Sequence, residues 1–203
     1  MSFLKNIEEI RQRARQTMED GPVTHDYRLD PAQAVRVLNE ALATEIVCVL
    51  RYRFHYFMAT GIHSSAVAKE FLVYAQEEQE HADRIAARIR QLGGKPEMDP
   101  AVVAQTSHTE YKEGTSLADM LREDLVAERI AVATYREIIK YFGQDDPTSR
   151  TIMETILAEE EEHAAELADL LFAVEPDTDS HPRRLYFADE IPEHSDAGQE
   201  VHA

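Results

Sequence analysis

The 203-residue sequence has a single cysteine, Cys48, only seven glycines, and no uncharged apolar run near the roughly 18 residues that a membrane-spanning helix needs. One thiol excludes an intramolecular disulfide framework and any site built on several cysteines, such as a structural zinc or a rubredoxin-type iron. Cys48 reads instead as a small buried residue. The N-terminal stretch MSFLKNIEEIRQRARQ has no continuous apolar segment of the kind a secretory signal carries, so a soluble, cytoplasmic chain with no membrane partner is expected. Positive charge is also scarce, with 21 Lys and Arg against 39 Asp and Glu, for a net charge of −18. That balance disfavours a phosphate-backbone partner. The arginines near the N-terminus are offset by Glu8, Glu9, Glu19 and Asp20, so DNA is not an expected ligand. A negative field concentrates divalent cations, although acidity also simply keeps a protein soluble.

What remains is helix. With 30% charged and 43% hydrophobic residues and so few glycines, the composition suits one all-α domain with a substantial core. Residues 1–29 read as an N-terminal helix and arm, amphipathic through Phe3, Leu4, Ile7 and Ile10 and broken at Gly21-Pro22. Asp30-Pro31 supplies an N-cap and an N1 proline for a first long helix whose inward stripe is Leu38, Leu42, Glu45, Val49, Tyr52 and Tyr56. Ser64 or Ser65 caps a second, with Phe71, Tyr74, Glu78, His81, Ile85, Ile89 and Leu92 inward and Gly93-Gly94 at its end. A long connection follows to about Gly114, with Pro96, Pro100 and a short helical turn near 99–105; long connections join parallel neighbours in a bundle. Thr115 or Ser116 opens a third helix (Leu121, Leu125, Glu128, Val132, Tyr135, Ile139). Asp146-Pro147 opens a fourth (Ile152, Ile156, Glu160, His163, Leu167, Leu170). The four helices span 30–174. Residues 175–203 form an acidic, proline-interrupted tail expected to be extended, with Leu185, Tyr186, Phe187 and Ile191 as one anchoring contact.

Glutamates lie on all four stripes, and in a repeating order. Glu45 precedes Glu78-x-x-His81 by 33 residues, Glu128 precedes Glu160-x-x-His163 by 32, and a tyrosine, Tyr52 or Tyr135, follows each lone glutamate by seven. An i, i+3 pair shares one helix face, so each Glu and His can reach the same ion. Buried carboxylates need a counter-charge, and two divalent ions balance four glutamates. One Glu-x-x-His alone is usually a solvated face; two in register with two further buried glutamates indicate a di-metal carboxylate site. Carboxylate and imidazole donors suit iron or manganese and can take zinc. Of Glu159 to Glu162 only Glu160 is in phase; the others, with Glu77 and Glu80, read as a solvated acidic face. Tyr52 and Tyr135 read as core aromatics whose hydroxyls bond a ligand carboxylate, and His55 as a partly exposed histidine.

The segments LNEALATEIVCVLRYRFHYF, EEQEHADRI, DLVAERI and ILAEEEEHAAEL resemble the four ligand-bearing segments of bacterioferritins, within the ferritin-like superfamily, over about residues 32–172. The resemblance implies a ferritin-like four-helix bundle with a long crossover between helices two and three. It also implies one iron at Glu45 and His81, a second at Glu128 and His163, and Glu78 and Glu160 bridging them. Iron storage and detoxification follow: ferroxidase oxidation of Fe²⁺ with O₂ or H₂O₂, and mineralisation inside a homo-oligomeric shell of 12 (Dps-like) or 24 subunits. Two departures stand out. Gln79 occupies the position of the haem-ligating methionine, so no haem is expected, and the tail lacks the short fifth helix of 24-subunit shells. A di-iron hydroxylase or monooxygenase of the same superfamily, with similar length and ligand order, is the leading alternative; a rubrerythrin-like peroxidase, set back by the lack of a Cys-x-x-Cys module, and a manganese catalase are the others.

Overall fold

A computed structural model describes residues 6–16, 18–62 and 64–175. The expected anchor at Leu185, Tyr186, Phe187 and Ile191, and the N-terminal Phe3 and Leu4, lie outside the described residues. Helices α1 (Ile7–Arg13), α2 (Pro31–Met58), α3 (Ser64–Gln91), α4 (Pro100–Thr106), α5 (Leu117–Phe142) and α6 (Pro147–Val174) follow in order, with a 3-10 turn at Met18–Asp20. No described helix is long and apolar enough to cross a membrane.

The helix starts follow local chemistry. Asp30, Asp99 and Asp146 each precede an N1 proline and accept from a backbone N–H in the first turn, at 3.0, 3.0 and 2.9 Å, a cap that contributes about 1 kcal/mol. Ser116 caps α5 by accepting from the Asp119 N–H, while Asp119 accepts from the Thr115 N–H, closing a reciprocal box. The start of α3 differs from expectation. Ser64 is already helical, and its hydroxyl donates back to the Gly61 carbonyl. At the other end of α3, Gly93 has φ of 78°, and a Cβ on Gly94 would meet Val35 of α2 at 2.6 Å, so only glycine permits this close approach.

α2 and α3 pack as one antiparallel hairpin, α5 and α6 as another. Across the hairpins, Tyr52 meets Glu128 and Tyr135 meets Glu45, so α2 and α5 are antiparallel. Arg88 meets Ser149 and Tyr74 meets Glu166, which makes α3 and α6 antiparallel as well. The crossover therefore joins parallel helices, as its length requires. Those helices, α3 and α5, are diagonal rather than neighbouring, because the chain carries α4 across α2 before entering α5, with Val103 of α4 seated on Ala43 and Val47. Tyr27 of the N-terminal arm donates to Asp146, which also holds Arg88 and caps α6.

The core has two apolar ends. One is built on Leu38, Leu42, Ile85, Ile89, Phe142 and Ile156, the other on Tyr52, Phe71, Tyr74, Leu121 and Leu167. Between them lies a layer of buried charge. Several expected core positions, among them Tyr56, Leu125, Val132, Ile139, Ile152 and Leu170, are only half-buried, because each lies at the edge of its stripe.

Candidate metal centre

The buried layer consists of Glu45 from α2, Glu78 and His81 from α3, Glu128 from α5, and Glu160 and His163 from α6, none more than 3% exposed. All six sequence-predicted residues meet there. They form two overlapping sets whose candidate ligand atoms lie within 4.8 Å of one another. One set is Glu45, Glu78, His81 and Glu160; the other is Glu78, Glu128, Glu160 and His163. Glu78 and Glu160 belong to both. The His81 Nδ1 lies 3.2 Å from Glu45, 3.5 Å from Glu78 and 3.0 Å from Glu160. The His163 Nδ1 lies 3.6 Å from Glu78 and 3.4 Å from Glu160.

Hydrogen bonds outside the layer aim these groups. His81 Nε2 lies 2.6 Å from Glu159, and His163 Nε2 lies 3.0 Å from Glu77. A ring donating Nε2–H turns the Nδ1 lone pair inward, the tautomer a metal ligand needs. Glu77 and Glu159 are thus not simply a solvated acidic face. Each stands one residue before the shared glutamate of its own helix and holds the histidine of the opposite half. Tyr52 donates to Glu128 and Tyr135 to Glu45, as expected of core phenols.

His55 departs from expectation. It is fully buried, 2.8 Å from Asp124 and 2.9 Å from the Glu113 carbonyl. Arg51 donates to the same Asp124 at 2.8 Å and to the Glu110 carbonyl at 3.1 Å. This buried group fastens the crossover onto α2 and α5, one turn from Glu128. Sequence reasoning passed over Arg51 and Asp124, whose pairing spans 73 positions.

The electrostatics of the layer are uneven. Burial and the neighbouring Glu78 push Glu45 up to about 8, and burial with the charges of Glu160 and Glu78 holds Glu128 well above the ordinary range. Burial and the charge of a neighbouring glutamate also act on Glu78 and Glu160, but the nearby histidines and terminal glutamates outweigh them and hold both carboxyls low. Burial alone would lower His163; contacts with Glu160 and Glu78 raise it to about 11. Even so, Glu78 Oε1, Glu128 Oε2, Glu160 Oε2 and His163 Nδ1 have no hydrogen-bond partner. Unsatisfied buried atoms of this kind are costly, and here they converge; two divalent cations would satisfy them all.

The rings of His81 and His163 also floor a cavity of about 680 Å³ between α3 and α6, lined by Glu70, Glu77, Glu80, Glu159, Glu162 and Glu166 among others.

The sequence profile of the ferritin-like domain family matches residues 35–175. A bacterioferritin of Rhodobacter capsulatus is 30% identical over 136 residues, covering 65% of this chain and 78% of the relative. The DNA protection during starvation protein of Pyrococcus furiosus is 31% identical over 147 residues, covering 70% and 79%. Among solved structures, the dodecameric thioferritin of Bacteroides fragilis, a bacterioferritin-related protein, superposes with a TM-score of 0.69 at 33% identity, covering 72% of this chain and 88% of that one.

Proposed function

Because the chain belongs to the ferritin-like domain family, we propose that it stores and detoxifies iron, taking Fe²⁺ as substrate at the paired cluster and oxidising it with O₂ or H₂O₂. Glu45 and His81 hold one ion, Glu128 and His163 the other, and Glu78 and Glu160 bridge them. The observation that carries this reading is the sharing of Glu78 and Glu160 by two four-residue sets in which Glu78 Oε1, Glu128 Oε2, Glu160 Oε2 and His163 Nδ1 have no hydrogen-bond partner. A bound pair of ions supplies the two electrons that reduce O₂ to peroxide, or H₂O₂ to water. The protein's part is to hold the pair together and to keep each imidazole in its metal-binding tautomer through Glu77 and Glu159.

The neighbouring cavity supports an inorganic substrate over the organic one a hydroxylase needs, because carboxylates outnumber the other groups in its walls and suit hydrated cations. The product is then mineralised in a homo-oligomeric shell of 12 or 24 subunits. Manganese or zinc can occupy the same donors. Gln79, exposed and donating to Asp83 of its own helix, offers no axial haem ligand. Although one relative is named for DNA protection, Arg11 and Arg13 in the arm are paired with Glu8, Glu9 and Asp26, which leaves little positive charge for phosphates.

Anaerobic titration with Fe²⁺ or Co²⁺ tests the reading. Two ions per chain should bind, and adding H₂O₂ should consume one molecule for each pair of Fe²⁺. Binding of one ion or none per chain would defeat it.

A further inference from the structure

Apolar residues Leu125, Val126, Ile130 and Ala133 form a stripe along the outer face of α5, flanked on the same helix by Arg122 and Arg129. Val126 is 52% exposed there. In a chain this acidic, two arginines beside exposed aliphatic side chains make a surface suited to a segment that is both apolar and acidic. Arg122 pairs with Glu175 and Arg136 with Glu161, whereas Arg129, between them on the same helix, has no carboxylate partner among the described residues.

The chain itself contains such a segment. Glu175, the last described residue, pairs with Arg122 at the end of the stripe, so the residues after it start where the stripe starts. Ten positions further on comes Leu185-Tyr186-Phe187-Ala188-Asp189-Glu190-Ile191. Ten residues can reach up to about 33 Å, while the stripe from Arg122 to Ala133 is only about 17 Å long at the rise of an α-helix. We propose that residues 185–191, a segment both apolar and acidic, dock on this face of α5, where Arg129 offers the complementary charge. The covalent link gives the segment an effective concentration on the order of millimolar, which a second copy of the chain would have to exceed to cover the same face.

Arg183 and Arg184 adjoin the segment and are cleavable by trypsin. The test compares the full-length protein with R129E and with the double variant Y186S/F187S, following release of the peptide after Arg184 by mass spectrometry and particle mass by light scattering. Both variants should be cut about tenfold faster than the parent, as expected for loss of one anchoring contact, with particle mass and Fe²⁺ oxidation unchanged. Equal cleavage of all three proteins would overturn the proposal. So would acceleration in R129E alone, or a fall in particle mass in R129E, which would assign the face to a second copy.

Discussion

The Tyr52 hydroxyl on α2 donates to the Glu128 carboxylate on α5. Tyr135 of α5 makes the same bond to Glu45 of α2, so each half of the chain orients the terminal glutamate of the other. Because Tyr52 occupies Glu128 Oε1 and Oε2 has no partner, one oxygen is held and the other is free for an ion. Y52F should weaken the ion held with His163, and Y135F the ion held with His81, each by about 10- to 100-fold. Co²⁺ titration should resolve two unequal sites in each variant where the parent shows a near-matched pair. If both variants bind two ions with parental affinity, the phenols have no part in the centre.

The shared glutamates and their outer neighbours should behave differently. Glu78→Ala removes a ligand from both sets and should abolish fast Fe²⁺ oxidation. Glu77→Gln weakens only the hold on His163 and should slow oxidation about 10- to 100-fold while retaining two ions per chain. Stopped-flow oxidation with metal counting separates the cases. Parental rates in Glu78→Ala would remove the bridging role.

At the far end of the bundle, Asp146 gives a pH dependence away from the metal layer. Its burial would raise the carboxyl, but bonds from the Ser149 hydroxyl and N–H, from Arg88 and from Tyr27 outweigh this and hold it below the ordinary aspartate range. A depressed acid stabilises the fold above its unfolded pKa and loses that contribution as pH falls through the folded value. Asp146→Asn should therefore cost about 2 kcal/mol at neutral pH. The gap from the parent should close only below the ordinary aspartate range. Thermal melts across acid pH measure it, and a gap that persists in strong acid would contradict the assignment.

Much of this was readable from spacing. The Asp-Pro pairs mark three helix starts, and a helical period of 3.6 residues places Glu45, Glu78, Glu128 and Glu160 on apolar stripes without knowledge of the packing. The outer shell was not readable in the same way. Glu77 and Glu159 repeat between the halves, but so do Glu80 and Glu162, which only line the cavity. Choosing between the pairs requires the antiparallel contact of α3 with α6. The burial of His55 depends on the crossover backbone at Glu113, a partner 58 residues away that no helical period encodes. The diagonal placement of α3 and α5 likewise depends on how the crossover passes over α2; its length alone indicates only that the two helices run parallel.

Storage at a paired centre is tested most directly by particle mass from size-exclusion chromatography with light scattering, before and after aerobic Fe²⁺ loading, with iron counted per particle. A shell of 12 or 24 chains holding far more than two irons per chain is the expected result. A monomer or dimer that stops near two irons per chain would contradict storage and indicate an oxygen-activating enzyme instead.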